Sequence, residues 1–465
     1  MTRINTNVSS LTAQKSLARS NLQLQEALTR LSTGLRINVG KDDPAGLIAS
    51  EVLRSDIVST QKAVSNSQRA NQMIATSDSA LGQVSALLND IRGLITEAAN
   101  EGALSDEQIA ANQLQIDSSL EAINRIAQTT TFQGRKLLDG SLDFLIDAKP
   151  ATVRDLQIDQ ANLGTTGSIA VSATISAAAT QATTTMAIAD PAGLADDVVF
   201  ELAGKDGAQV FNFEAGTSGD DVAAAINLVS DATGVEGTYA AGTLTLTSSA
   251  YGSNAFVSVS VIDQGALGTV ADARDEGSDV VATVNGMAAY GDGNKLSVST
   301  PTLSMSITVD DGSAVAVSFD ITGGGALFQL GPDVVSNQQA RIGISSVNTA
   351  SLGGSEGRLY QLASGQDASL AEDPTTAAKI VDQVMTKLTS LRGRLGAFQK
   401  TTLDTNINAL NDTLENLTDA ESNIRDADFA AETAKLTRAQ ILVQSGMSVL
   451  AIANQRPQAV LALLR

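Results

Sequence analysis

Proline is what most of this chain avoids. Its seven prolines are Pro44, Pro150, Pro191, Pro301, Pro332, Pro374 and Pro457, which leaves 45–149 and 375–456 without one. Proline inside a helix costs about 3 kcal/mol, so both intervals are free to form long helices. Both also carry heptad spacing. In the first, Leu81, Val84, Leu88, Ile91, Ile95 and Ala98 alternate spacings of three and four, and Ile109, Ile116, Leu120 and Ile123 follow the same rule. In the second, Leu403, Ile407, Leu410, Leu414, Leu417 and Ile424 share one seam, with Glu421 its single polar interruption. A further seam runs Leu436, Val443, Met447, Leu450. Alternation sustained this long is a coiled-coil signature. A helix of about 50 residues spans about 75 Å. Such arms need partners along their whole length, and each fully buried Leu, Ile or Val contributes about 1.5–3 kcal/mol. The simplest arrangement pairs the two arms antiparallel and brings the chain ends together.

Two breaks punctuate the first arm. At "NEGALSDEQ", Ser105 followed by Gln108 predicts a capping box that opens a new helix. The other break, "LSTGLRINVGKDDPAG" (31–46), interrupts a helical pattern. Leu24, Leu28, Leu31 and Leu35 keep helical spacing before it, and Ile48 and Val52 resume after it. Its glycine-rich look does not make a phosphate loop, because Lys41 is followed by Asp42 where Ser or Thr is required. Asp42 and Asp43 are adjacent and have no third ligand near, so they are no metal pair. The residues suit a joint between helices. Gly34 and Gly40 allow positive φ, Asn38 and Asp42 favour Asx-type turns and caps, and Asp43 is placed to cap a helix with Pro44 at its first position. The polar residues Arg36, Asn38, Lys41, Asp42 and Asp43 are then offered outward, for contacts between subunits.

The middle of the chain reads differently. Residues 1–150 carry a net charge of −2, residues 151–335 of −18 and residues 336–465 of −1. There "GTLTLTSS" (242–249), "FVSVSV" (256–261), "LSMSITV" (303–309) and "VAVSFDI" (315–321) alternate with period two, as half-buried strands do. Asp310-Asp311-Gly312 is expected to turn a hairpin between the last two. "SGDDVAAAINLVSDATG" predicts one helix, with Asp residues at its start and Val222, Ile226 and Val229 on one face. The acidic turns "DDGS" (310–313) and "DARDEGSD" (272–279) lack the spacing of a calcium loop. The fold class expected is therefore mainly α: long antiparallel coiled-coil arms from both termini, with one or two α+β, strand-rich modules inserted from the middle.

What is missing narrows function. The chain has no cysteine and no histidine. That removes thiolate nucleophiles, Ser-His-Asp triads and the usual zinc sites, so no catalytic residue, cofactor or metal is expected. The acidic balance argues against nucleic acid and anionic membranes as partners. The N-terminus has no apolar core of a signal peptide, and no run approaches the ~20 apolar residues of a membrane helix. Both ends, "LTAQKSLARSNLQLQEALTRL" and "LTRAQILVQSGMSVLAIANQRPQAVLALLR", are amphipathic, with polar faces poor in lysine. Exposed apolar faces of this kind invite self-association. A head-to-tail contact that does not close gives a helical filament. Leu24, Leu28, Leu31, Leu436, Val443, Met447, Leu450, Leu461 and Leu464 are expected to serve that interface.

The start "MTRINTNVSSLTAQ", the joint "LSTGLRINVGKDDPAGLIAS", "TTTFQGRKLLDG" (129–140) and the end "ESNIRDADFAAETAKLTRAQILVQSGMSVLAIANQRPQAVLALLR" together resemble bacterial flagellin, over roughly 1–160 and 336–465. "FNFEAGTSGDDVAAAINLVSDATGVEGTYAAGTLTLTSS" resembles a repeat of flagellin outer regions. The resemblance implies three zones: 1–45 with 426–465 as an inner coiled-coil layer, 46–160 with 336–425 as a helical second layer, and 161–335 as a variable outer region. It implies an extracellular, self-assembled filament for swimming motility. Its partners would be copies of itself, the flagellar type III export machinery, an export chaperone and hook-associated proteins. Export without a cleaved signal peptide follows from the same likeness. Flagellins sensed by the host Toll-like receptor carry a basic residue where this chain has Asp90, and an acidic one where it has Gln115. Arg92 and Leu94 match, so the implied receptor surface is altered. The main competing reading is a hook–filament junction or cap protein of the same apparatus.

Overall fold

A computed structural model describes residues 6–100, 102–147, 149–164, 166–188, 193–264 and 271–463. Among the described residues the helices are α1 (Val8–Thr33), α2 (Pro44–Ala98), α3 (Asp106–Thr129), α4 (Gly219–Asn227), α5 (Ser230–Thr233), α6 (Pro374–Ala397), α7 (Thr405–Arg425) and α8 (Phe429–Leu463). A π-helical segment, Phe398–Asp404, joins α6 to α7. The sequence punctuation explains these bounds. Ser105 and Gln108 form the reciprocal capping box at the start of α3. Asp43 accepts the Gly46 N–H at 2.9 Å ahead of Pro44. Asp373 does the same for Thr375 and Thr376 ahead of Pro374. The helix α8 runs on through Pro457.

The chain divides into two compact units. The first comprises residues 1–69, 329–334 and 401–465. In it α1 and α8 run antiparallel: Asn7 Nδ2 donates to the Ala453 carbonyl at 2.8 Å, while Arg30 meets Glu432 at 3.2 Å toward the other end. Ala63 and Val64 of α2 pack with Leu410 of α7, and Asn406 Nδ2 donates to Ser67 Oγ at 3.1 Å.

The second unit comprises residues 70–328 and 335–400. Its helical part buries the heptad positions Leu81, Val84, Leu88, Ile91, Ile95 and Ala98 of α2, Ile116, Leu120 and Ile123 of α3, and Val381, Val384, Leu388, Leu391 and Leu395 of α6. Two ion pairs set α2 and α6 antiparallel: Arg392 to Asp78 at 2.8 Å and Arg92 to Asp382 at 3.2 Å. The segment 349–370 is held to α3 by side chains. Gln113 bonds the Leu362 carbonyl and the Leu370 N–H, at 2.8 and 2.9 Å, and Asn124 accepts from Thr349.

Two sheet cores follow in the same unit, one nested within the other in sequence. The first joins a five-stranded sheet (order 287–288, 281–284, 169–177, 317–324, 144–147) to a four-stranded one (290–292, 295–299, 303–309, 153–161). The second lies between 182 and 276. It joins a three-stranded sheet (183–187, 243–248, 235–240), a four-stranded one (273–276, 256–264, 198–204, 208–213) and α4. The strands of these cores begin at Phe144. The strands 144–147 and 153–161 find their partners at 317–324 and 303–309, more than a hundred residues on.

Two local expectations are corrected. The hairpin at Asp310-Asp311-Gly312 does not form, because 303–309 pairs with 295–299 and 153–161 while 317–324 belongs to the other sheet. The acidic turn instead crosses between sheets and holds Arg154, which contacts Asp310 at 3.2 Å and Asp311 at 2.6 Å. Gly34 caps α1 at φ 72°, but Gly40 does not take positive φ. The turn there is set by Asp42, whose carboxylate accepts the N–H groups of Asn38 and Val39, both at 3.1 Å.

Candidate assembly surface

The antiparallel α1–α8 pair is built inside out. The residues it buries are small: Ser10, Ala13, Ser20 and Ala27 from α1, Ala439 and Ala453 from α8. Gly446 lies against Leu17, where an added Cβ would stand 3.2 Å from Leu17 Cδ1. Small side chains let two helices approach closely. Leu17, Leu24, Leu31, Leu436, Val443 and Leu450 are half-buried beside them, and a second set of large apolar side chains stands bare. Val8, Leu11, Leu22 and Leu28 of α1, and Phe429, Ile441, Leu442, Met447, Val449 and Ile452 of α8, are each between 45% and 70% exposed.

The expected α8 seam is therefore shifted. Leu436, Val443 and Leu450 are half-buried, but Met447 is 48% exposed and Gly446 takes the inner position. On α1, Leu24 and Leu31 are half-buried and Leu28 is exposed. Leu464 and the side chain of Leu461 lie outside the described residues. A second correction concerns hydropathy. Phe429–Gln455 is long and apolar enough to cross a membrane by length and composition, and little of it is buried. Its Ile, Leu, Val and Ala residues raise the average, but Glu432, Lys435, Arg438 and Gln444 break any run of apolar residues.

One charge is buried in this pair. Glu432, 4% exposed, is flanked by Arg30 at 3.2 Å and Lys435 at 2.7 Å. Burial raises the pKa of its carboxyl, but the bonds from Lys435 and Arg30 outweigh this and hold it below the ordinary value. Sequence periodicity passes over such a position because it weights only apolar residues. The small-residue seam escapes notice for the same reason.

At the level of Glu432 both polypeptide strands break. A short antiparallel bridge stitches the breaks together: the Arg36 N–H donates to the Arg425 carbonyl at 2.7 Å, and the Ala427 N–H to the Gly34 carbonyl at 2.9 Å. The Arg36 guanidinium donates to the carbonyls of Asn423, at 3.3 Å, and Ile424, capping the end of α7. Asn38 Nδ2 donates to the Leu35 carbonyl at 2.9 Å. The amide bonds hold the Asp42 carboxyl below its ordinary pKa, Val39 contributing most and Asn38 next. Ile37, 1% exposed, plugs the joint, and Gly46 sits so close that a Cβ would meet Ile37 Cδ1 at 2.7 Å. Four of the five polar residues picked from sequence, Arg36, Asn38, Asp42 and Asp43, thus serve the joint itself. Lys41 is exposed.

In the second unit, Asp90, Arg92 and Gln115 are exposed and Leu94 is half-buried. Arg92 is engaged with Asp382 of α6. Among the described residues no group of three or more acidic side chains is placed to hold a metal ion.

A pair of terminal helices that leaves many large apolar side chains bare has the form of a self-associating structural subunit. Comparison with known proteins gives its family. Family profiles match the bacterial flagellin N-terminal helical region over residues 4–143, the C-terminal helical region over 378–464 and the flagellin hook IN motif over 199–250. The B-type flagellin of Pseudomonas aeruginosa is 32% identical, covering 99% of both chains. Flagellins of Salmonella rubislaw and Salmonella typhimurium are 30% and 29% identical with the same coverage. The chain belongs to the bacterial flagellins, the structural subunits of the flagellar filament. Among solved structures, FliC of Burkholderia pseudomallei superposes at a TM-score of 0.26 with 14% identity, covering 71% of this chain and 98% of that one. That likeness is too low to carry an argument.

Proposed function

We propose that the outward apolar side of the α1–α8 pair is the surface on which copies of this chain pack into the filament. The observation that carries this is that the pair's fully buried apolar positions are all alanines while ten of its large apolar side chains stand exposed. A pair left alone in water would gain by reversing that order. In this reading 1–45 and 426–465 form the innermost coiled-coil layer. The helices of 46–160 and 336–425 form the second, and the acidic sheets face the medium. Leu24, Leu28, Leu31, Leu436, Val443, Met447, Leu450, Leu461 and Leu464 serve the inner contacts. Arg36, Asn38, Lys41, Asp42 and Asp43 set the angle of the joint and border the neighbouring subunit. The chain leaves the cell through the flagellar type III apparatus without a cleaved signal peptide. An export chaperone holds its C-terminal segment, and hook-associated proteins flank the finished filament. It performs no catalysis.

Removing residues 460–465 tests the inner layer. The truncated chain is expected to keep its far-ultraviolet spectrum nearly unchanged and to lose polymerisation into tubes seen by electron microscopy. Unimpaired polymerisation refutes the role given to that end. A cap or junction role would be favoured instead if the protein proved to be present in few copies per cell.

A further inference from the structure

The four-stranded sheet of the second core has two unlike edges. One is Ala273–Glu276, with Arg274, Asp275 and Glu276 in succession. Charged side chains on an edge strand discourage pairing with another chain. The other is Ala208–Phe213, "AQVFNF", which carries no charge in six residues. Its inner side pairs with 198–203 in the register Val198↔Phe213 to Ala203↔Ala208. The Gly204 N–H donates to the Gly207 carbonyl at 2.9 Å, closing the hairpin. Hydrogen-bonded pairs alternate in an antiparallel ladder. Residues 207, 209, 211 and 213 therefore bond inward, and Ala208, Val210 and Asn212 present their N–H and C=O groups to the outer edge, where the Val210 carbonyl already accepts Gln209 Nε2 at 3.3 Å and keeps a second lone pair for a docking strand. Phe211 and Phe213 stack at 5.8 Å, with Phe211 buried in the core and Phe213 half-buried against it, which anchors the strand to that core. Val210 is 49% exposed.

These three residues are self-complementary. If a second copy of the strand adds antiparallel with Val210 opposite Val210, Ala208 faces Asn212 on both sides. Every outward backbone group then finds a partner, and no charged side chain of the strand enters the contact. We propose that Ala208–Phe213 is a docking strand for the same strand of a second copy, in a neighbouring filament. The second copy cannot be a neighbour in the same helical array. This contact has two-fold symmetry, whereas subunits along one filament are related by a screw. The contact rests on the outward placement of the sheets proposed above. A single strand pair is small, but a filament repeats it, and repetition raises avidity without new contacts. The acidic middle of the chain opposes the approach, so association rises with salt, which screens repulsion over about 10 Å at 0.1 M.

The chain has no native cysteine, so one introduced thiol reports a single position. Val210→Cys places two thiols at about 5.5 Å between Cα atoms in the proposed register, within disulfide reach. Full-length filaments of this variant are oxidised mildly and run without reductant, beside filaments of Asp275→Cys at the charged edge. The Val210→Cys filaments are expected to give a dimer band at least fivefold stronger. The band should grow with salt and fall about tenfold when Asn212→Lys is added, with filaments appearing side by side in micrographs. Dimer no stronger than that of Asp275→Cys overturns the proposal while leaving intact filaments as evidence for the assembly reading. If no filaments form, the assembly reading fails instead. The same oxidation of the concentrated unassembled chain then decides the strand contact.

Discussion

Gly46 shows how tightly the joint between α1 and α2 is built. A methyl group there would stand 2.4 Å from Asp43 Oδ2 and 2.7 Å from Ile37 Cδ1. Gly46→Ala is therefore expected to destabilise the first unit by about 1–3 kcal/mol, the range for overpacking, read as a lower urea midpoint. Asp43→Ala should cost about 1 kcal/mol through loss of the helix cap, and Arg36→Ala should act at the same joint by freeing the end of α7. An unchanged midpoint for all three would make the joint mere spacing. The joint was legible in sequence as turn chemistry before a capped helix. The direction of its polar groups was not, because a side chain bonded to its own backbone looks the same in sequence as one offered to a neighbour. Asp90 makes the other residue-scale prediction. It stands exposed at the position where the resemblance implies a basic residue for receptor sensing, so the monomer should activate Toll-like receptor reporter cells weakly, and full potency would refute this.

At the scale of elements, heptads gave the long helices and most of the buried stripes of α2, α3 and α6. They placed Leu436, Val443 and Leu450 on the half-buried side of α8 and missed one position, Met447, where Gly446 lies inward. Periodicity ranks residues by apolar size, and in a closely packed pair the smallest residues go inside. Glu432 adds a pH dependence to that pair. Its folded pKa is depressed, so its contribution is fully present above the unfolded value near 4.5. It is lost as pH falls through the lower folded value. Helix pairing between α1 and α8 should thus weaken below about pH 4.5, followed by circular dichroism across an acid titration. Glu432→Gln should flatten that part of the titration. A profile identical to that of the unaltered chain would show that Glu432 is not what couples the pair to pH.

For the whole molecule, sequence pointed to helical ends around a strand-rich middle, but not to the nesting of its sheets. Strands at 144–147 and 153–161 pair with 317–324 and 303–309, and between them a second core closes on its own. Such pairing is invisible to local pattern, which is why Asp310-Asp311-Gly312 looked like a hairpin. The absent histidine and cysteine, the heptads and the bare terminal helices already pointed to assembly rather than chemistry. The central claim is that the outward apolar side of α1–α8 makes the filament. Leu22, 67% exposed, and Ile452, 61% exposed, make few contacts within the chain, so exchanging both for Asp should shift its stability by less than about 1 kcal/mol. The decisive measurement is sedimentation of polymer formed by this double variant beside the unaltered chain. The unaltered chain should pellet as filaments while Leu22→Asp with Ile452→Asp stays in the supernatant with an unchanged helical spectrum. Equal pelleting of the two would contradict the account.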